Sequence, residues 1–288
     1  MPKSNENKTI INDFHYHLFS FLLPVLLNVN IAVPFIEGMK IFSPLYSIWF
    51  LTVFSIGYLF ILPIQFLALQ SKKTYAFAHY MNKVWAWIFF IGGFIPLKKE
   101  IRGEKPYPRP AVYCANHTSY IDIPLIFFAL SGYFKIIGKK SLDDVPVFGY
   151  MFSRLYISVN RKGAKSILES IQKSIETINN NQDIVFYPEG TIPPISQHPH
   201  LSRFKDGPFK VAIETQVPIV PITIPYNWKF VGDVKFPINW HPLKIIVHEP
   251  IETVGLTLDD INDLKSRTYN IIEKELKRHN PELSENNL

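Results

Sequence analysis

A single cysteine, Cys114, among 288 residues leaves no partner for an intrachain disulfide and too few thiolates for a cysteine zinc cluster. The phosphate-cradling patterns G-x-x-x-x-G-K-[ST] and G-x-G-x-x-G are missing, and so is the nucleophile elbow G-x-S-x-G. The usual nucleotide-binding loops and the usual serine-hydrolase turn are therefore excluded. There is no internal repeat and no low-complexity tract. His198 and His200 lie two residues apart on a proline-containing stretch without neighbouring carboxylates, which is poor ligand spacing, and no metal site is expected. Charge is also absent from one long run: Leu45 to Leu69 carries no Asp, Glu, Lys or Arg.

That run exceeds the ~20 residues a helix needs to cross the hydrocarbon core of a bilayer. An earlier apolar stretch, His17 to Ile36, is interrupted by Pro24, Asn28, Asn30 and Pro34. Only Glu37-Gly38-Met39-Lys40 and a few residues more separate the two, so the pair reads as a helical hairpin over residues 1–75 that anchors an α/β domain over 76–288. Lys3 and Lys8 flank one open end and Lys72, Lys73 and Lys83 the other, which places both ends, and the domain that follows, on the cytoplasmic face. Pro24 and Pro34 equally allow a hairpin that dips into one leaflet. No small-residue cleavage site follows the first stretch, so a removed signal peptide is not expected. Residues 84–96, with Trp85 and Trp87, are too short to span and read as an interfacial or core-docking helix.

Lysine plus arginine total 30 against 24 acidic residues, a net charge of +6 and a pI near 9.1. Such an excess suits an anionic membrane surface, a phosphorylated substrate or nucleic acid. The basic residues form no stripe interleaved with aromatics, which argues against nucleic acid. Past residue 110 apolar strand-like runs (111–115, 133–137, 156–159, 184–187, 219–224, 244–248) alternate with helical periods (123–130, 164–179, 208–215, 258–279). Interleaving of this kind predicts a mixed, mostly parallel sheet covered by helices. Thr257, with Asp259 and Asp260 behind it, reads as the cap of the last helix.

The stretch Tyr113-Cys114-Ala115-Asn116-His117-Thr118-Ser119-Tyr120-Ile121-Asp122-Ile123-Pro124 reads as strand, sharp turn and helix start. His117 then falls at the carboxyl end of a strand, where open α/β sheets place their chemistry. Asp122, one turn into the helix, can reach back to the imidazole, fix its tautomer and leave the other ring nitrogen as a general base. Spacing alone favours an ordinary loop histidine. Cys114, in an apolar strand, reads as a small buried hydrophobe and not a nucleophile. Ser119 has no elbow around it.

A second block, Val185-Phe186-Tyr187-Pro188-Glu189-Gly190-Thr191, again ends an apolar run in a polar, glycine-containing turn. Together N-H-x-x-x-x-D and F-x-P-E-G-T resemble the signature blocks of the 1-acylglycerol-3-phosphate acyltransferase family of glycerolipid acyltransferases. Val159-Asn160-Arg161 is similar to that family's second block, Ser202 to Phe209 to its F-K-x-G segment, and Val217 to Pro221 to its fourth block. The resemblance covers roughly residues 80–250. It implies the family's glycerol-3-phosphate acyltransferase-like fold, His117 and Asp122 as the catalytic pair, and substrate-binding roles for Asn116, Arg161, Glu189, Gly190, Thr191, Arg203, Lys205 and Gly207. Where the family carries Arg after the third block, this chain has Ile192-Pro193-Pro194, which leaves the phosphate grip to the other cations.

The implied activity is transfer of a fatty acyl group from an acyl thioester to the sn-2 hydroxyl of lysophosphatidate, giving phosphatidate in phospholipid biosynthesis. No cofactor is implied. The donor would be acyl-coenzyme A or acyl-carrier protein, and the bilayer holding the acceptor would be a partner. A different lysolipid or an acylated amino acid is the alternative acceptor. A non-enzymatic, membrane-anchored binding protein is the reading from another class, and the His117/Asp122 pair speaks against it.

Overall fold

The structure, a computed structural model, describes residues 42–103, 107–194, 197–231 and 236–281. It begins with two helices, α1 (Ser43–Ala68) and α2 (Tyr75–Gly92). They pack antiparallel: Gln65 bonds Asn82 near the turn between them, and Tyr46 and Trp49 bond the Gly93 and Gly92 carbonyls at the far end. The second apolar run thus forms a hairpin with Tyr75–Gly92. The expected partner, His17 to Ile36, lies outside the described residues. Helix α2 is longer than the 84–96 run because its first turns carry His79, Asn82 and Lys83, which break the apolar pattern while remaining helical.

In α1 the buried positions Ser43, Ser47, Phe50, Gly57, Ile61, Gln65 and Ala68 recur at steps of three, four or seven residues along one face. Phe50, Ala68 and Leu69 belong to the same core cluster as Ala115, Leu125 and Phe152 of the α/β portion, and Ser47 Oγ accepts the Ile238 N–H at 2.7 Å. The helix therefore lies lengthwise on the domain. Its other face exposes Leu45, Trp49, Leu59, Phe60 and Leu67. By length and composition it is the one described helix apolar enough to cross a membrane.

The chain continues through β1 (Leu97–Ile101), β2 (Val112–Ala115), α3 (Asp122–Ala129), β3 (Phe134–Lys139), α4 (Phe148–Leu155), β4 (Ile157–Val159), α5 (Ala164–Asn179) and β5 (Asp183–Phe186). It closes with α6 (Gly207–Thr215), β6 (Ile219–Thr223), α7 (Asn227–Phe230), β7 (Leu243–Val247) and α8 (Ile261–His279). The seven strands lie in the order β1-β7-β6-β2-β5-β3-β4, parallel throughout except where β6 meets β7. This is the mixed, mostly parallel sheet expected, with β1 and α4 added. Strand β1 has the sequence LKKEI, half-exposed at the sheet edge, and so lacks the apolar run that marks the others.

Alternation along the strands feeds two cores. Tyr113, Ala115, Val185, Val220 and Ile222 face the layer with α1 to α4, whereas Val112, Cys114, Ile184, Phe186 and Ile219 face α5, α6 and α8. Cys114 is fully buried, and burial pushes its thiol pKa far up, so it packs as a hydrophobe. The last helix is entered through a capping box in which Asp260 accepts the Thr257 backbone N–H. Because β2, β5, β3 and β4 are parallel, their carboxyl ends, and the turns at His117, Glu189, Lys140 and Arg161, all emerge at one edge of the sheet.

Candidate active site

Strand β2 ends at Ala115 and α3 begins at Asp122, so the turn carrying His117 spans the gap between them. His117 Nδ1 and Asp122 Oδ2 are 2.8 Å apart. The same oxygen accepts the N–H groups of Thr118 (2.7 Å) and Ser119 (3.0 Å), and Oδ1 accepts Asn227 Nδ2 at 2.7 Å. A fully buried carboxylate with four donors has no freedom left. It sits in the first turn of α3, where the helix dipole favours negative charge. Nδ1 is therefore the donor to Asp122, and the lone pair of the ring is on Nε2. The imidazole side chain keeps 13% of its surface accessible and stacks on Tyr187 with centroids 4.1 Å apart.

Glu189 holds the second block against the first. Its Oε1 accepts the His117 N–H at 2.8 Å and its Oε2 the Ser202 N–H at 2.9 Å. Burial raises its pKa to about 7, against the lowering effect of these two hydrogen bonds and with a further upward push from Asp122. Both oxygens are engaged by backbone, so the carboxylate braces two loops. Asn116 is likewise internal. Its amide pairs with both backbone groups of Ile224, donating to the carbonyl at 2.9 Å and accepting the N–H at 2.7 Å, and it is fully buried. It fixes the loop after β6.

Gly190 adopts φ +79°, a conformation that favours glycine, and its N–H closes a turn on the Tyr187 carbonyl at 2.9 Å. That N–H is thus taken. Thr191 is exposed, and its hydroxyl makes only a 3.4 Å contact with the Ile192 carbonyl. The Lys205 N–H bonds the Pro188 carbonyl at 2.8 Å, which brings the Ser202–Lys205 stretch alongside the Glu189 turn. A side chain at Gly190 would meet Lys205 Cγ at 3.8 Å.

Arg203, Phe204, Lys205, Asp206 and Lys265 line a cavity of about 180 Å³ at the amino end of α6, which opens at Gly207. Asp206 is paired with Lys265 at 2.6 Å, whereas Arg203 and Lys205 are exposed and make no ion pair among the described residues. Arg161, two residues past β4, is also exposed by surface area and makes no ion pair among the described residues; surrounding chain still desolvates its guanidinium enough to lower its pKa. The structure thus joins His117, Asp122 and Glu189 by direct hydrogen bonds and sets Gly190 and Lys205 against them. Arg161 shares the sheet edge but touches none of them.

Three participants escape sequence reasoning. Asn227 reaches Asp122 across 105 residues and belongs to no motif. Ile224 and Ser202 act only through backbone atoms, which no side-chain pattern reveals. Among the described residues no cluster of three metal-ligating side chains occurs.

Comparison with known proteins places this geometry. The acyltransferase family model matches residues 78–225, just over half of the chain, and spans both His117 and Glu189. The chain belongs to the acyltransferase family. It is 28% identical over 72% of its length to the chloroplastic 1-acyl-sn-glycerol-3-phosphate acyltransferase of Brassica napus, and 30% identical over 74% to that of Arabidopsis thaliana. The matched parts cover 60% and 61% of those two proteins. The 1-acyl-sn-glycerol-3-phosphate acyltransferase of Haemophilus influenzae is 28% identical over 62% of this chain and 72% of its own length. In fold, the chain is similar to the crystal structure of the 1-acyl-sn-glycerophosphate acyltransferase PlsC from Thermotoga maritima. The TM-score is 0.68 over 83% of this chain and 96% of that one, at 20% identity.

Proposed function

We propose that this acyltransferase moves a fatty acyl group from an acyl thioester to the sn-2 hydroxyl of lysophosphatidate, forming phosphatidate. The observation that carries the reading is the His117–Asp122 contact at 2.8 Å, with Asp122 locked by three further donors. Nε2 takes the proton of the acceptor hydroxyl as its oxygen attacks the thioester carbonyl. The C–S bond then breaks, and the thiolate leaves with the proton returned by the imidazolium. No acyl-enzyme is needed, in keeping with the burial of Cys114 and Ser119. The Thr191 hydroxyl and the exposed Arg161, Arg203 and Lys205 supply donors for the acceptor phosphate and the developing oxyanion. The names of the relatives support lysophosphatidate as the acceptor. Coenzyme A or a carrier protein would bear the donor thioester.

The exposed apolar face of α1 supports a bilayer as the surface on which a lipid-tailed acceptor is met. Because α1 meets the domain core near both ends, through Ser47 and Phe50 at one and Ala68 at the other, the reading is monotopic: the helix rests in one leaflet with Lys72 and Lys73 at its end, on the cytoplasmic side. Purified protein with labelled acyl thioester should acylate lysophosphatidate, and His117→Ala should not. Equal turnover by both sinks the assignment. A panel of lyso-acceptors tests the head group, and preference for an acceptor without phosphate overturns that part of the reading.

A further inference from the structure

His117 is held at three points. Its Nδ1 meets Asp122 Oδ2 at 2.8 Å, its backbone N–H meets Glu189 Oε1 at 2.8 Å, and one face of its ring lies on Tyr187. The third contact takes no part in the proton transfer proposed for Nε2. Yet the two rings are only 4.1 Å apart between centroids and 26° from parallel, a stacked pair at close range. Tyr187 directly follows β5 and is itself firmly placed: it is buried in the core cluster that holds Tyr113 and Ala115, and its carbonyl accepts the Gly190 N–H at 2.9 Å. The surface on which the imidazole rests is therefore fixed before any substrate arrives.

The hydroxyl of Tyr187 does not account for this placement. It is buried and makes no hydrogen bond among the described residues. Burial, with a further push from Asp122, holds the phenol pKa well above its ordinary value, so the group stays un-ionised near neutral pH. What Tyr187 offers the imidazole is its π face. When Nε2 takes a proton the ring becomes a cation, and with only 13% of the side-chain surface accessible, water solvates that charge poorly. Asp122 answers the charge at the Nδ1 edge and the electron-rich face of Tyr187 answers it from the side. A ring quadrupole attracts a cation more than a neutral ring. The stack is therefore stronger at the transition state than in the resting enzyme, which is the condition for a contact to raise rate and not affinity.

We propose that Tyr187 is a positioning residue of the acyl transfer: its aromatic face, stacked on His117, fixes the plane of the imidazole and stabilises the imidazolium formed when Nε2 takes the acceptor proton. The inference rests on the reading of His117 as the general base.

The test replaces Tyr187 in the full chain by Phe, by Leu and by mono-, di- and trifluorinated phenylalanines introduced through a suppressor tRNA. Fluorine withdraws electron density from the face of the ring while nearly preserving its size, so packing stays constant along the series as the attraction for a cation fades. Single-turnover rates of acyl transfer at saturating lysophosphatidate, and KM for that acceptor, are measured for each protein. Tyr187→Phe should stay within about twofold of the wild type in rate, since the ring is retained. The rate should then fall with each added fluorine, to roughly tenfold below Phe at the trifluorinated ring, with KM unchanged. Tyr187→Leu should fall at least as far. A rate that stays level across the fluorinated series overturns the proposal, whether or not the Leu variant folds. So does a Phe variant as slow as Leu, or an effect carried by KM alone. Equal rates for wild type and His117→Ala would instead remove the general-base reading underneath, whereas an inactive His117→Ala beside a level fluorinated series removes this inference alone.

Discussion

His117 Nδ1 and both carboxylates beside it are held by other parts of the chain, whereas Arg161, Arg203 and Lys205 stand exposed with no ion pair among the described residues. Asp122 is fixed by four donors, three from the turn before it and one from Asn227, and Glu189 by two from different loops. The group proposed to transfer the proton is thus preorganised by the fold alone, which is what catalysis of a fixed geometry requires. The cations have no internal role, and an anionic ligand is what would order them. Rate should therefore depend on the first region and acceptor affinity on the second.

The sharpest way to break that division is at His117. Replacement by Ala should lower kcat/KM by about 10³-fold or more, the range for loss of a general base, with little change in Tm, measured by initial rates and thermal melts. A large loss of Tm would mean that the imidazole holds the fold and not the reaction. Asp122→Asn comes next. An amide cannot accept all four donors, so kcat should fall by about 10²-fold and Tm should drop as well. Unchanged kcat with lowered Tm would reassign Asp122 to structure.

Ala in place of Arg161, Arg203 or Lys205 should leave kcat within about threefold. KM for lysophosphatidate should rise by roughly tenfold each, as expected for a lost charge-assisted hydrogen bond. These effects should shrink at high salt, where exposed charges are screened. If one of the three instead lowers kcat at saturating acceptor, that cation belongs with the catalytic group.

The two regions were unequally legible in the sequence. His117 and Asp122 stand out because a strand end and one helical turn, both short-range features, bring them together. The apolar runs of β2 to β7 were legible because strands buried on both faces are continuously hydrophobic. Strand β1 was not, since an edge strand can be polar. The bracing of the site depends on pairs 72, 105 and 108 residues apart, Glu189 with His117, Asn227 with Asp122 and Ile224 with Asn116. Only the folded sheet makes these neighbours. No local pattern therefore announced that Asn116 and Glu189 tie the site to distant loops.

Glu189 offers the subtlest discrimination, because it belongs to the preorganised region yet titrates near neutrality. Its pKa of about 7 in the folded chain lies above the ordinary 4.5, so it binds its proton more tightly folded than unfolded. Its contribution to stability is then greatest below about pH 4.5 and is lost as pH rises through 7, by something on the order of 3 kcal/mol for a shift of this size. Glu189→Gln removes the titration. The Tm of the wild type relative to this variant should fall by several degrees between pH 5 and pH 8. A relative Tm that rises over that interval would mean that the ionised carboxylate, accepting from His117 and Ser202, outweighs its burial, and that the brace works as an anion.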